Sequence, residues 1–119
     1  MKLQIYPNWS RTSQRTLSYA VEGHARQERF RQGTGVIQDQ YGRLHNVSVN
    51  SAPYKTLIEL TVTLPNRQIG VTTVGAIRAG GGQVRPQPTA RNPDHCVMTG
   101  LTPEEAQRLF IPTVRNPHR

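Results

Sequence analysis

Ten glycines and nine prolines interrupt this chain so often that its leucines, isoleucines and valines fall in short runs between turn residues. Both residue types interrupt regular structure, glycine by tolerating left-handed turns and proline by its fixed φ and missing N–H, as in a small protein with much surface. A chain of 119 residues punctuated in this way fits one domain, residues 1–119, of small α+β type with much surface. No apolar run approaches the roughly 18 residues that a spanning helix needs, and the N-terminus lacks the apolar segment of a signal peptide, so no membrane anchor is expected. The single cysteine, Cys96, excludes an internal disulfide framework and a Cys-based zinc site and leaves the redox compartment open.

The turn residues divide the chain into candidate elements. KLQIY (2–6) alternates like a strand and is cut off by Pro7-Asn8. Residues 12–31 read as a helix: Thr12 or Ser13 caps it, and Leu17, Ala20, Val21 and His24 recur at three- and four-residue steps, with Gly23 marking a bend or a fresh start at His24. GVIQD (35–39) and RLHNVSVN (43–50) flank Gln40-Tyr41-Gly42 as a hairpin. YKTLIELTVTLP (54–65) predicts a short helix followed by an extended segment. IGVTTVGAIRAGGG (69–82) predicts a brief strand, a Thr72 or Thr73 cap, one or two helical turns and a glycine stop. QVRPQP and HCVMTG read as the last strands. Thr102-Pro103-Glu104-Glu105 is the clearest boundary, an N-cap threonine with proline at the first helical position and glutamate at the third, before AQRLF. The tail RNPHR is expected to fray.

Charge narrows the partner. Fifteen Lys+Arg against seven Asp+Glu leave a formal +8, and thirteen of the fifteen are arginine. The guanidinium fork makes paired hydrogen bonds to phosphate, so such a surface suggests nucleic acid, with the composition of a GC-rich genome as the plain alternative. No segment joins a basic face to a continuous apolar one, which argues against a membrane-surface role. Only 6% of residues are aromatic, which weighs against a single-strand binder that works by base stacking.

Gly80-Gly81-Gly82 lacks the lysine and hydroxyl ending of a Walker loop and reads as a helix terminator. There is no nucleophile elbow, and His24, His45, His95 and His118 are not spaced as metal ligands, so neither metal nor cofactor is expected. Seven acidic residues are too few for a two-metal nuclease. Metal-free RNA cleavage needs less: a base for the 2′-hydroxyl, an acid for the leaving oxygen, cations for the phosphorane and donors for its oxygens. His24 is the candidate base, with Glu28 one turn on to orient it and Arg31 on the same face. His95 is the candidate for the second proton transfer. Thr72 and Thr73 offer hydroxyls and amides at a helix start, and Arg26, Arg29, Lys55 and Arg78 are the candidate substrate-binding cations. Each has an ordinary reading beside this one. His24 equally suits a partly buried helix histidine bonded to Glu28 or a carbonyl, His95 a strand residue between core positions, His45 a solvent-exposed hairpin residue, and Thr72-Thr73 a cap. Cys96 reads as a small buried apolar residue, since neighbouring strand residues point to opposite faces and deny it His95 as a base.

GHARQERFRQGTG, NVSVNS, IGVTTVGAIRAGG and the ending HCVMTGLTPEEAQRLFIPTVRNP together resemble the C-terminal effector domain of bacterial polymorphic toxins of the contact-dependent inhibition and Rhs types, over nearly the whole chain. The resemblance implies an RNase of the fold shared by barnase, colicin D and RelE, an N-terminal helical part followed by a small curved antiparallel sheet that holds the active site, with short helices. It implies cleavage of tRNA or another RNA after delivery, as cargo of a larger secreted protein, into the cytoplasm of a competitor bacterium, and a cognate immunity protein that blocks the basic cleft. A helix histidine, an arginine and a sheet hydroxyl would then fall on His24, Arg31 or Arg29, and Thr72 or Thr73, while the multiple-lysine cluster of some members is missing. The resulting expectation is a metal-independent endoribonuclease toxin. The alternatives are a non-catalytic RNA- or DNA-binding module and an ADP-ribosyltransferase effector with Arg29 or Arg31 on the nicotinamide dinucleotide; the second lacks a convincing Ser-Thr-Ser strand and Glu-x-Glu loop.

Overall fold

The computed structural model describes residues 18–23, 27–33 and 35–119. In chain order these form β1 (Tyr19–Glu22), α1 (Gln27–Phe30), β2 (Ile37–Gln38), β3 (Leu44–His45), β4 (Val47–Ser51), α2 (Leu57–Leu60), β5 (Gln68–Thr73), α3 (Val74–Ala79), β6 (Gln83–Pro86), β7 (His95–Thr99), α4 (Pro103–Phe110) and β8 (Val114–Arg115). Six strands make one sheet in the order β6-β7-β4-β1-β5-β8, each neighbouring pair antiparallel, and β2 with β3 forms a separate ladder. The α+β class with an antiparallel sheet is as the sequence predicts.

The helix expected over residues 12–31 is corrected over residues 18–23, whereas Gln27–Phe30 is helical as expected. Tyr19–Glu22 is an interior strand, with Ala20 opposite Ser51 of β4 on one side and Thr72 of β5 on the other. Ala20 and Val21 are buried on opposite faces. A strand covered on both faces shows no polar alternation, and over four residues its apolar run is indistinguishable from a helical stripe. Residues 12–17 and the expected strand 2–6 lie outside the described residues.

Pleating sorts the side chains into two layers. One face carries Ala20, Val47, Val49, Cys96 and Met98, covered by Phe30, Ile77, Leu101, Ala106 and Phe110 from the helices and loops. The rings of Phe30 and Phe110 meet at 5.7 Å, tilted by 44°. The other face carries Val21 and Ile69 under Leu60, with Leu57, Leu64 and Val71 at its margin. Among the described residues, α2 and its flanking turns cover this second face, over β1 and β5.

Local chemistry explains the helix boundaries. In α4 the Thr102 hydroxyl accepts from the Glu105 amide while the Glu105 carboxylate accepts from the Thr102 amide, and Pro103, Ala106 and Phe110 form the buried stripe. Thr56 and Glu59 make the same reciprocal cap on α2. The extended segment expected after α2 is instead a turn, because the Thr61 hydroxyl donates to the Leu57 and Ile58 carbonyls and closes the helix end. Of the two expected caps for α3, Thr73 serves, accepting from the Ala76 amide, and Gly80 terminates the helix. The tail is not frayed. Asn116 is fully buried and its amide donates to the Leu64 and Asn66 carbonyls, His118 Nε2 donates to the Ile58 carbonyl, and Arg119 Nε donates to the Leu64 carbonyl.

Candidate active site

Directly opposed residues of an antiparallel pair point to the same side, so the register lays out the second face of the sheet beyond the reach of α2. His95 lies opposite Asn50, Ser48 and Arg85 lie opposite Val97 from its two sides, and Thr99 lies opposite Gln83. These residues share one face. Ser48, Gln83 and Arg85 are exposed, His95 and Thr99 half-buried. Arg85 is the diagonal neighbour of both His95 and Thr99, about 7–8 Å from each and within reach of a long side chain.

Each of two histidines on this face is held by an acceptor on one nitrogen and a hydroxyl on the other. His95 Nδ1 lies 2.8 Å from the Gln87 carbonyl and Nε2 lies 3.0 Å from Ser48 Oγ. A carbonyl only accepts, so the Nδ1–H form is selected and the lone pair of neutral Nε2 faces the serine hydroxyl. His45 Nε2 lies 2.9 Å from Asp39 Oδ2, and its Nδ1 bonds the Thr99 hydroxyl. Asp39 is itself fixed, since its other oxygen accepts from the Tyr41 and Arg43 amides in the turn between β2 and β3. The bond from His45, and then that from the Arg43 amide, hold the Asp39 carboxyl below its ordinary value. The turn and the strands therefore deliver an Asp39–His45–Thr99 chain and a Gln87–His95–Ser48 chain to the same surface. Ser48 and Thr99 stand diagonally, about 7–8 Å apart.

Of the residues singled out from sequence, His95 is in this arrangement. Arg29 on α1 and Arg31 just after it are exposed, and Arg29 lines a cleft of about 450 Å³ whose wall also includes Ser48. Lys55 closes a two-point ion pair with Asp94, Nζ to the carboxylate oxygens at 2.9 and 3.0 Å, and so ties the β4–α2 connection to the approach of β7. Thr72 shares the face of Ala20, Thr73 caps α3, and Arg78 is exposed on α3 beside a second depression of about 400 Å³ lined by Tyr54 and Cys96. Along the row His95–Asn50–Val21–Val71 three strand spacings separate His95 from β5, about 14 Å, and Thr72 then points to the opposite side. The structure does not bring Thr72, Thr73 or Arg78 to His95. His24 and Arg26 lie outside the described residues.

Sequence reasoning missed Ser48, Thr99, Asp39 and Arg85 and read His45 as merely exposed. One signal was present: in NVSVN polar residues occupy every second place against apolar ones, which marks a face not covered by core. Cys96, one residue on from His95, points into the core, and burial pushes its thiol above the ordinary value. Among the described residues no three His, Cys, Asp or Glu side chains gather as a metal site, and no helix is long and apolar enough to cross a membrane. The two ion pairs among the described residues are His45–Asp39 and Lys55–Asp94, so no described arginine closes one there. Compared with known protein families, curated proteins and solved structures, the chain matches none.

Proposed function

We propose that this chain is a metal-independent endoribonuclease that cleaves RNA on the open face of its sheet. The observation that carries the reading is the pair of histidines, each with one nitrogen fixed by an acceptor and the other on a hydroxyl, flanking an exposed arginine. His95 Nε2, unprotonated, takes the proton of a 2′-hydroxyl that enters in place of the Ser48 hydroxyl. The 2′-oxygen attacks phosphorus, the bond from phosphorus to the 5′-oxygen breaks, and a protonated His45 supplies the proton to that oxygen. The products are a 2′,3′-cyclic phosphate and a free 5′-hydroxyl. Asp39 accepts from His45 Nε2 and orients its ring, and Arg85, with the Ser48 and Thr99 hydroxyls, meets the charge that builds on the phosphoryl oxygens.

On this reading the arrangement belongs with RNases of the barnase, colicin D and RelE type. The chain acts as a toxin domain on tRNA or another RNA once delivered to a competitor cell, and a cognate immunity protein has to cover the face that bears His95 and His45. Incubation with total RNA in EDTA is expected to yield discrete fragments ending in 2′,3′-cyclic phosphate, and His95→Ala to slow their appearance by about 10²- to 10⁴-fold while RNA is still bound. RNA that is bound but left intact by the unaltered chain makes it a non-catalytic binding module instead, and consumption of NAD makes it an ADP-ribosyltransferase.

A further inference from the structure

We infer that the cleft next to Ser48 holds one nucleobase of the RNA strand and selects it through the Asn66 side chain and the Arg29 guanidinium; the inference rests on cleavage at the open face. The cleft opens at the end of the sheet where β1 leaves and β4 and β5 enter, and its volume of about 450 Å³ falls within the roughly 300–1,000 Å³ of small-molecule sites. Ser48 belongs to both places: its hydroxyl meets His95 at 3.0 Å and the residue lines the cleft. A phosphodiester on the open face therefore has a recess for a neighbouring base within one residue's width.

The lining suits a flat heterocycle with apolar faces and a polar edge. Val36, Leu64 and Pro65 supply apolar walls. Asn66 and Arg29 supply edge groups, and neither side chain bonds another group among the described residues. A carboxamide offers a donor and an acceptor side by side, and a guanidinium offers parallel donors, which are the two side-chain patterns that pair with base edges. Asn66 is also held in place. Its carbonyl accepts from the buried Asn116 amide at 2.9 Å, and its side chain sits so close over Gly23 that a β-carbon there would lie 2.6 Å from Oδ1. Gly23→Ala thus displaces the carboxamide without altering its chemistry, and provides a second, independent way to disturb the cleft.

The test uses the full chain and the four 3′-nucleoside monophosphates, titrated one at a time, together with mapping of cut sites on RNA of random sequence. One nucleotide is expected to bind at least about tenfold more tightly than the others, and the same base to be enriched at one position beside the cut. Asn66→Ala and Gly23→Ala are each expected to bring the preferred nucleotide to the affinity of the rest and to remove the enrichment. Equal binding of the four nucleotides, or a preference that both variants retain, overturns the inference and leaves cleavage standing. Discrimination lost in both variants of a chain that never cuts RNA sustains the cleft and overturns the cleavage reading instead.

Discussion

Asn116 and Asn50 show how single amides hold the ends of this fold. Asn50, buried beneath α2, donates to the Leu60 carbonyl and the Thr63 hydroxyl and accepts from Asn92, so one side chain joins β4, the α2 turn and the approach to β7. Asn116 does the same for the tail, and Asn116→Ala leaves the Asn66 carbonyl without its side-chain donor and the Leu64 carbonyl with that of Arg119 alone. A loss of about 1–3 kcal/mol is expected, measured as a lower urea midpoint with an unchanged slope; a midpoint equal to that of the unaltered chain would show that the tail contributes nothing. Neither role was legible. RNPHR has no periodicity, and a polar residue in a Pro-containing end segment announces exposure until a partner carbonyl is known. His95 was legible as a candidate because its chemistry is intrinsic, but its bonds to Gln87 and Ser48 come from residues 8 and 47 positions away.

At the scale of elements, what depends on adjacent residues was readable and what depends on pairing was not. The α4 boundary follows from Thr102-Pro103-Glu104-Glu105, because a capping box is closed within four residues. Thr102→Ala is expected to cost about 1 kcal/mol in thermal or urea unfolding. The caps also set an acid limit. The Thr56 backbone and hydroxyl lower the Glu59 carboxyl, and the Thr102 backbone bond lowers that of Glu105, as the His45 bond lowers Asp39. A carboxyl lowered in the folded state contributes stability above its unfolded value and loses it as pH falls through the folded one. Stability is therefore expected to decline below about pH 4, and Glu105→Gln to flatten that decline in pH-dependent unfolding. A profile identical to that of the unaltered chain would remove the capping carboxylate from the account. β1 was not readable because its strand state is decided by β4 and β5, which reach it from about 30 and 50 residues further on.

Over the whole molecule, charge and topology act together. The +8 excess draws the chain to a polyanion, and the sheet decides which arginines that polyanion meets. With Arg85 neutralising one phosphate of single-stranded RNA on the open face, the logarithm of affinity is expected to fall with the logarithm of salt, and this contact supplies about −0.7 of the slope. Arg85→Ala should make that slope shallower by about 0.7, whereas Arg78→Ala, on α3 over the opposite face, should leave it unchanged. The reverse result in salt titrations would move the bound strand to the other side of the sheet.

Residue order alone determined the α+β class, the cap of α4, the glycine stop of α3 and the arginine-rich charge, since each depends on composition or on neighbours within one turn of chain. Tertiary structure decided that Tyr19–Glu22 is a strand, that the tail is docked, and that His95, Ser48, Thr99, His45 and Asp39 share one face while Thr72 lies on the other. The reason is that strand register is a relation between distant segments, and a shift of one residue would turn the side chains of a strand such as β4, β5 or β7 to the opposite side.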